Sequence, residues 1–262
     1  MKYTKQKQYG LTLVELLAVV IVIVVLIALI FPVLRGILQT AHNGRCLKNL
    51  KTIGFTAMEF MAEQPDQIVM PYLFWHYNSD NGRYEHDKSR GGESHWYAIL
   101  ADYGLSHSRD TEVFTCPAAE VQPGKSNPLK PGARMPTNPA SWANYAWNSG
   151  INGRLHKNGD DRVRRSEVKA SHLFLFADRV ATRASQEKYG FGSRMTIGAH
   201  SYETLEQLLD PDAEHNFGFR HNGRANIFFL DGHIEALAPE EIPLKTKTPT
   251  EKYLLFYTGF AP

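Results

Sequence analysis

Four groups of side chains in this chain carry chemistry beyond packing. Glu15 is the only ionisable residue between Leu11 and Leu34, a stretch otherwise almost wholly apolar. An acid at the centre of a membrane helix costs about 2.5–3.5 kcal/mol on insertion scales, so a carboxylate in such a run demands a compensating charge. Cys46 and Cys116 are the two cysteines, and neither belongs to a C-x-x-C, which excludes a structural zinc site built from such C-x-x-C cysteine pairs. In an oxidising compartment they can pair, closing a long loop worth ~4 kcal/mol. The other reading is two buried thiols, and the disulfide is the expectation. His221, Asp231 and His233 offer imidazole and carboxylate donors to a metal, but no complete ligand set accompanies them. Asp231-Gly232 reads instead as a turn, with His221 capping or hydrogen-bonding the loop. Asp210, Asp212 and Glu214 place hard oxygens on one loop without the regular spacing of a calcium motif. A solvated acidic turn is expected there, and calcium is the one cofactor to test.

The loops and their borders are rich in aromatic residues: Tyr72, Phe74, Trp75, Tyr77, Trp96, Trp142, Tyr145 and Trp147. Exposed, they would suit a glycan or peptide, giving large contact area with a polar edge; buried, they fill gaps in a loop-rich core, which is the expectation. Enzymatic chemistry has little support. There is no G-x-S-x-G elbow, no Walker loop and no H-E-x-x-H, and Gly190-Phe191-Gly192 lacks the third glycine of a dinucleotide fingerprint.

These groups must be positioned by a small number of elements. Lys2, Lys5 and Lys7 precede Gly10, and from Leu16 to Phe31 no charged or polar residue occurs. The run exceeds the ~20 residues needed to cross ~30 Å of hydrocarbon, and the lysines mark its cytoplasmic side. A cleavable secretory signal would have a shorter core followed by a small-residue site. Pro32-Val33-Leu34 follows here instead, so the run is read as retained. Beyond it, Leu38, Ala41, Leu47, Leu50, Ile53, Ala57 and Met61 recur at mostly three- and four-residue spacing, with Arg45, Lys48, Asn49 and Lys51 on other faces. This predicts a helix continuing to about Glu63 and ending at Gln64-Pro65-Asp66, a rod of roughly 75 Å. Pro32 is expected to kink or loosen it, and Gly36, Gly44 and Gly54 to weaken it or to permit close packing. The remainder reads as mixed α and β. Strands are expected at 67–75 and 172–177, short helices at 94–103 and 202–209, and a long loop at 118–140. A C-terminal hairpin is expected from Asn226–Leu230, Asp231-Gly232 and His233–Leu237.

The lysine-bearing leader, Gly10, the apolar run and Glu15 together resemble the class III signal of type IV prepilins and type II secretion pseudopilins. The resemblance implies that a prepilin peptidase cuts between Gly10 and Leu11 and methylates the new amine. Leu11 stands where the family usually has Phe. Glu15, then the fifth residue, would be neutralised by the N-terminal amine of a neighbouring subunit, an attraction strengthened by poor hydration. A plain signal anchor with one tolerated acid is the competing reading.

A second resemblance lies in Arg45-Cys46-Leu47-Lys48-Asn49-Leu50-Lys51-Thr52-Ile53-Gly54. It is similar to the C-x-x-N-L-K-Q-I-G segment of a large group of prepilin-like proteins abundant in planctomycetes, with Thr52 in place of Gln. That group also carries a His, nine residues and Asp-Gly, matched by His221 and Asp231-Gly232, and similar stretches at Phe114-Thr115-Cys116-Pro117 and Asn144-Tyr145.

The resemblance implies a type IV pilin-like α+β fold, a long N-terminal helix packed on an antiparallel sheet with long loops. Its divisions are a leader at 1–10, a transmembrane or filament-core helix at 11–34, an amphipathic extension at 35–64 and an extracytoplasmic domain at 65–262. The expected partners are prepilin peptidase, other pilin-like subunits in a homo- or hetero-oligomeric filament, and the inner membrane, crossed once. Nucleic acid is not expected. The 29 basic residues less the three leader lysines leave 26 against 27 acidic ones, no surplus for neutralising phosphates. The alternative role is a membrane-tethered protein that binds a glycan or peptide and uses the signal only for export.

Overall fold

A computed structural model describes residues 13–63, 69, 73–74, 76–78, 83–85, 94–96, 100, 105, 113–119, 144–151, 163–180, 196–197, 202–210 and 216–260. They fall in two units, Met1–Ala41 and His42–Pro262. Helix α1 (Leu13–Glu63) contributes to both, with helical backbone through Pro32. In the first unit its aliphatic side chains are exposed on every face, from Leu13 through Phe31. Among the described residues it is the one helix long and apolar enough to cross a membrane.

In the second unit the helix becomes one-sided. Cys46, Leu50, Ile53, Ala57 and Met61 are buried at three- to four-residue spacing, while Arg45, Lys48 and Lys51 are exposed. The seam runs through Cys46 rather than through the expected Leu47, which is half-buried. This stripe packs in one core with Trp96, Tyr145, Trp147, Phe176 and Phe228.

The central sheet has five strands: β5 (Tyr145–Asn148), β6 (Phe174–Asp178), β7 (Thr196–Ile197), β8 (Ala225–Phe229) and β9 (Ile234–Leu237), in the order β7-β5-β6-β8-β9. Four are antiparallel neighbours, and β7 pairs parallel with β5 at the edge. Period-two alternation divides β8 between two cores. Phe228 faces the α1 side, while Ala225, Ile227 and Phe229 join Phe256 and Tyr257 of the C-terminal helix α3 (Glu251–Thr258). A register shift between Phe174 and Phe176 puts Leu175 and Phe176 together in the α1 core. The sheet is thus covered on both faces, and α3 was not foreseen. Thr250 caps its start and Gly259, at φ +78°, ends it.

Elsewhere the expectations need adjustment. Of the strand expected at 67–75, β1 is Leu73–Phe74, paired with β4 (Ser94–His95); β2 (His76–Asn78) pairs with β3 (Arg83–Glu85). Ser94–His95 is therefore strand where a helix was expected, and the helical residues begin at Trp96. The helix expected over 202–209 is α2 (Leu205–Leu209), delayed by a capping box between Thr204 and Gln207. The long loop expected at 118–140 lies, apart from Ala118 and Ala119, outside the described residues.

Close approach of α1 to the sheet is set at Gly54. A Cβ built there would overlap the buried Phe228 ring, whereas nothing lies near Gly36 or Gly44. Gly54→Ala would gain ~1 kcal/mol in helix propensity but overpack a rigid ring, a cost of ~1–3 kcal/mol. A net loss of up to about 2 kcal/mol is expected in urea unfolding, so that the propensity gain is offset or outweighed.

Candidate functional site

The segment from Phe217 to Asn226 brings the chemically interesting side chains inward. Asn222 and Gly223 both have positive φ, +54° and +75°, and His221 and Arg224 exchange backbone hydrogen bonds at 3.1 Å across them. This is the tight Asn-Gly hairpin turn, which asparagine and glycine favour because they accept left-handed backbone. It delivers Arg220 and His221 to one side of the sheet and starts β8 at Ala225.

There they meet Asp178, the last residue of β6, whose side chain is wholly buried. Arg220 Nη2 lies 3.2 Å from Asp178 Oδ1 and donates to Asn144 O at 2.6 Å, while Nη1 donates to Arg179 O. Asp178 Oδ2 accepts the Asn226 backbone N–H at 2.8 Å and lies 3.4 Å from His221 Nε2. The same nitrogen is 3.4 Å from Cys116 Sγ, and Cys116 is disulfide-bonded to Cys46 with Cα atoms 5.2 Å apart. Around this pair, Asn144 Oδ1 accepts from Cys116 N at 2.8 Å, Asn49 Nδ2 donates to Thr115 O at 2.9 Å, and Tyr145 OH donates to Cys46 O at 3.3 Å. One cluster therefore ties α1, the segment 113–119, β5, β6 and the 217–226 hairpin together.

Its electrostatics follow from dryness. Burial pushes the Asp178 carboxyl above its usual range, opposed by Arg220, His221 and the Asn226 N–H. Burial also holds the His221 imidazole below its usual value, with the Asp178 charge pulling the other way. The Tyr145 phenol is driven up by the same desolvation. A buried acid beside a guanidinium and a closed disulfide offers no nucleophile to solvent. What the arrangement does chemically is hold five chain segments in register.

The C-terminal signature is divided. His221 enters the cluster, while Asp231 and Gly232 form the turn at the opposite end of β8, Gly232 with φ +94°. Asp231 Oδ1 meets His233 Nδ1, and the His233 ring stacks on Phe229 at 4.3 Å. His221, Asp231 and His233 are thus not one ligand set. Gly10, Leu11, Asp212 and Glu214 lie outside the described residues, and Glu15 occupies the first turn of α1. Asp210 closes α2, its carbonyl accepting from Asn216 Nδ2 at 3.1 Å. Among the aromatics, Trp96, Tyr145 and Trp147 are fully buried, so these three are core and not platforms for a ligand. Tyr72, Trp75 and Trp142 lie outside the described residues.

The second unit also has an open groove of about 910 Å³ between α1 and the β8–β9 hairpin. Leu47, Phe55 and Ile234 supply its apolar wall, Lys48 and Lys51 its cations and Glu59 an acid. Comparison with known families, curated proteins and solved structures gives no match.

Proposed function

We propose that the chain is a prepilin-type subunit, cut after Gly10, methylated at Leu11 and assembled through α1 into a pseudopilus or pilus-like fibre. The observation that carries this reading is the change of character along one helix. From Leu13 to Phe31 the helix is apolar on every face, with Glu15 in its first turn. From Cys46 to Met61 it is one-sided and forms part of a domain core. A helix of the first kind needs lipid or other helices around it, since from Leu16 to Phe31 nothing polar interrupts its surface. The carboxylate of Glu15 gives the incoming subunit a register by pairing with a neighbour's terminal amine. The domain carried on the second half stands outside the cytoplasm, where an oxidising compartment allows the Cys46–Cys116 bond.

Glu15→Ala tests assembly apart from export. The variant is expected in the membrane fraction at the wild-type level, while sheared fibres lose it by roughly tenfold or more, the equivalent of ~1.4 kcal/mol of lost pairing. Equal fibre content in variant and wild type would defeat the assembly role of Glu15.

A second reading, a tethered binder of peptide or glycan, draws on the groove beside Phe55, whose ring is half exposed. On that reading Glu15→Ala retains function and Phe55→Ala loses it.

A further inference from the structure

The buried cluster contains more donor atoms for a metal than a structural disulfide requires. Cys46 Sγ, Cys116 Sγ and one His221 ring nitrogen all lie within 4.8 Å of one another, and all three residues are buried. Asp178 Oδ2 lies 3.4 Å from His221 Nε2, the same separation as that nitrogen from Cys116 Sγ. Zinc bonds of ~2.3 Å to sulfur and ~2.0–2.2 Å to nitrogen and oxygen, arranged tetrahedrally, put a nitrogen ligand roughly 3.4–3.6 Å from an oxygen or sulfur ligand and two sulfurs roughly 3.8 Å apart, so the two thiolates must separate once the disulfide is reduced. The imidazole therefore already stands at ligand distance from both a sulfur and a carboxylate oxygen.

We propose that the reduced form of unit His42–Pro262 is a zinc-class metal site. Its ligands are the Cys46 and Cys116 thiolates and His221 Nε2, with a solvent molecule in the fourth position and the Asp178 carboxylate beside the imidazole. The site and the disulfide exclude each other, because a sulfur in the bond has no thiolate to give. A dithiol reductant delivers two electrons and two protons to the bond and is itself oxidised to a disulfide. Zn²⁺ then displaces the two thiol protons to solvent. Reoxidation by a disulfide oxidant removes the two electrons, closes the bond and releases the ion.

Charge balance favours the exchange. Two thiolates and a divalent ion sum to zero, and Asp178 is already matched by Arg220 at 3.2 Å. The buried cluster thus carries no more net charge with zinc than with the disulfide, the condition a dry interior imposes. The ligands come from α1, from the segment 113–119 and from the Asn-Gly hairpin. An ion would hold the same segments together where thiols stay reduced. This inference rests on the second unit alone and is independent of fibre assembly.

The test uses the full chain in detergent, a phosphine reductant and Co²⁺ as the spectroscopic probe. The reduced protein is expected to take up a single cobalt ion with thiolate-to-cobalt charge-transfer absorption and tetrahedral d–d bands, which zinc abolishes; the oxidised protein shows neither. Cys46→Ser should halve the charge-transfer intensity. His221→Ala should weaken binding by roughly tenfold or more, at least the effect of losing an outer-shell partner. Variants are compared only where circular dichroism shows native secondary structure. A folded, reduced chain without cobalt bands overturns the proposal. So does binding unchanged in both variants, or a reduced chain that unfolds with zinc present.

Discussion

Truncating Asp178 to alanine is expected to lower the unfolding free energy of the second unit by about 3–5 kcal/mol, the usual cost of removing one partner of a buried ion pair. The size follows from what is left behind. Arg220, 12% exposed at its side chain, keeps a guanidinium facing Asn144 O and Arg179 O with no other anion paired to it among the described residues. The Asn226 N–H and His221 Nε2 lose the same carboxylate. Replacing both charges, Asp178→Ala with Arg220→Met, should recover part of the loss, because the uncompensated cation disappears. Urea unfolding of the two single variants and the double variant measures the coupling. A single-variant loss below ~1 kcal/mol would mean that the pair is already hydrated and the cluster is not a brace.

The second large effect is expected from the disulfide. Cys46 and Cys116 are 70 residues apart, and a cross-link of that span removes unfolded-chain entropy worth about 4 kcal/mol. Against a total domain stability of ~5–15 kcal/mol, that loss puts the reduced unit near its limit. Reduction in the presence of a chelator, or the Cys46→Ser, Cys116→Ser double variant, should lower the urea midpoint accordingly. A shift well below this would place the benefit in native packing around the Tyr145 and Asn144 contacts, not in loop closure.

The long helix was legible because its two halves use the plainest signals a sequence has, an unbroken apolar run and then a 3.6-residue stripe. The β8–β9 hairpin was legible from Asp231-Gly232 between apolar strands. The cluster around Asp178 was not. Its members, Cys46, Cys116, Asn144, Asp178, Arg220 and His221, are scattered over more than 170 positions, and local periodicity carries no information about which of them meet. One signal was present: Asp178 ends Leu173-Phe174-Leu175-Phe176-Ala177, a charge set at the end of a fully buried strand. Such a charge requires a cation in the fold, and Arg220 supplies it. The Asn-Gly pair at 222–223 was a second signal, a strong turn marker between Phe219-Arg220-His221 and the apolar strand that follows. α3 escaped because Tyr253, Phe256 and Tyr257 lie in a short helix whose pattern is weak without the Thr250 and Gly259 caps. His221 and Asp231, equally spaced members of one motif, serve different ends of the same strand.

The proposed processing makes Leu11 the N-terminal residue of the mature protein. Its most direct measurement is the intact mass and N-terminal sequence of the chain after co-expression with a prepilin peptidase. A chain that starts at Leu11 and carries one methyl group on its amine is expected. A chain that keeps Met1 and the lysine-bearing leader would contradict this, reducing residues 11–34 to a signal anchor and removing the terminal amine proposed to pair with Glu15.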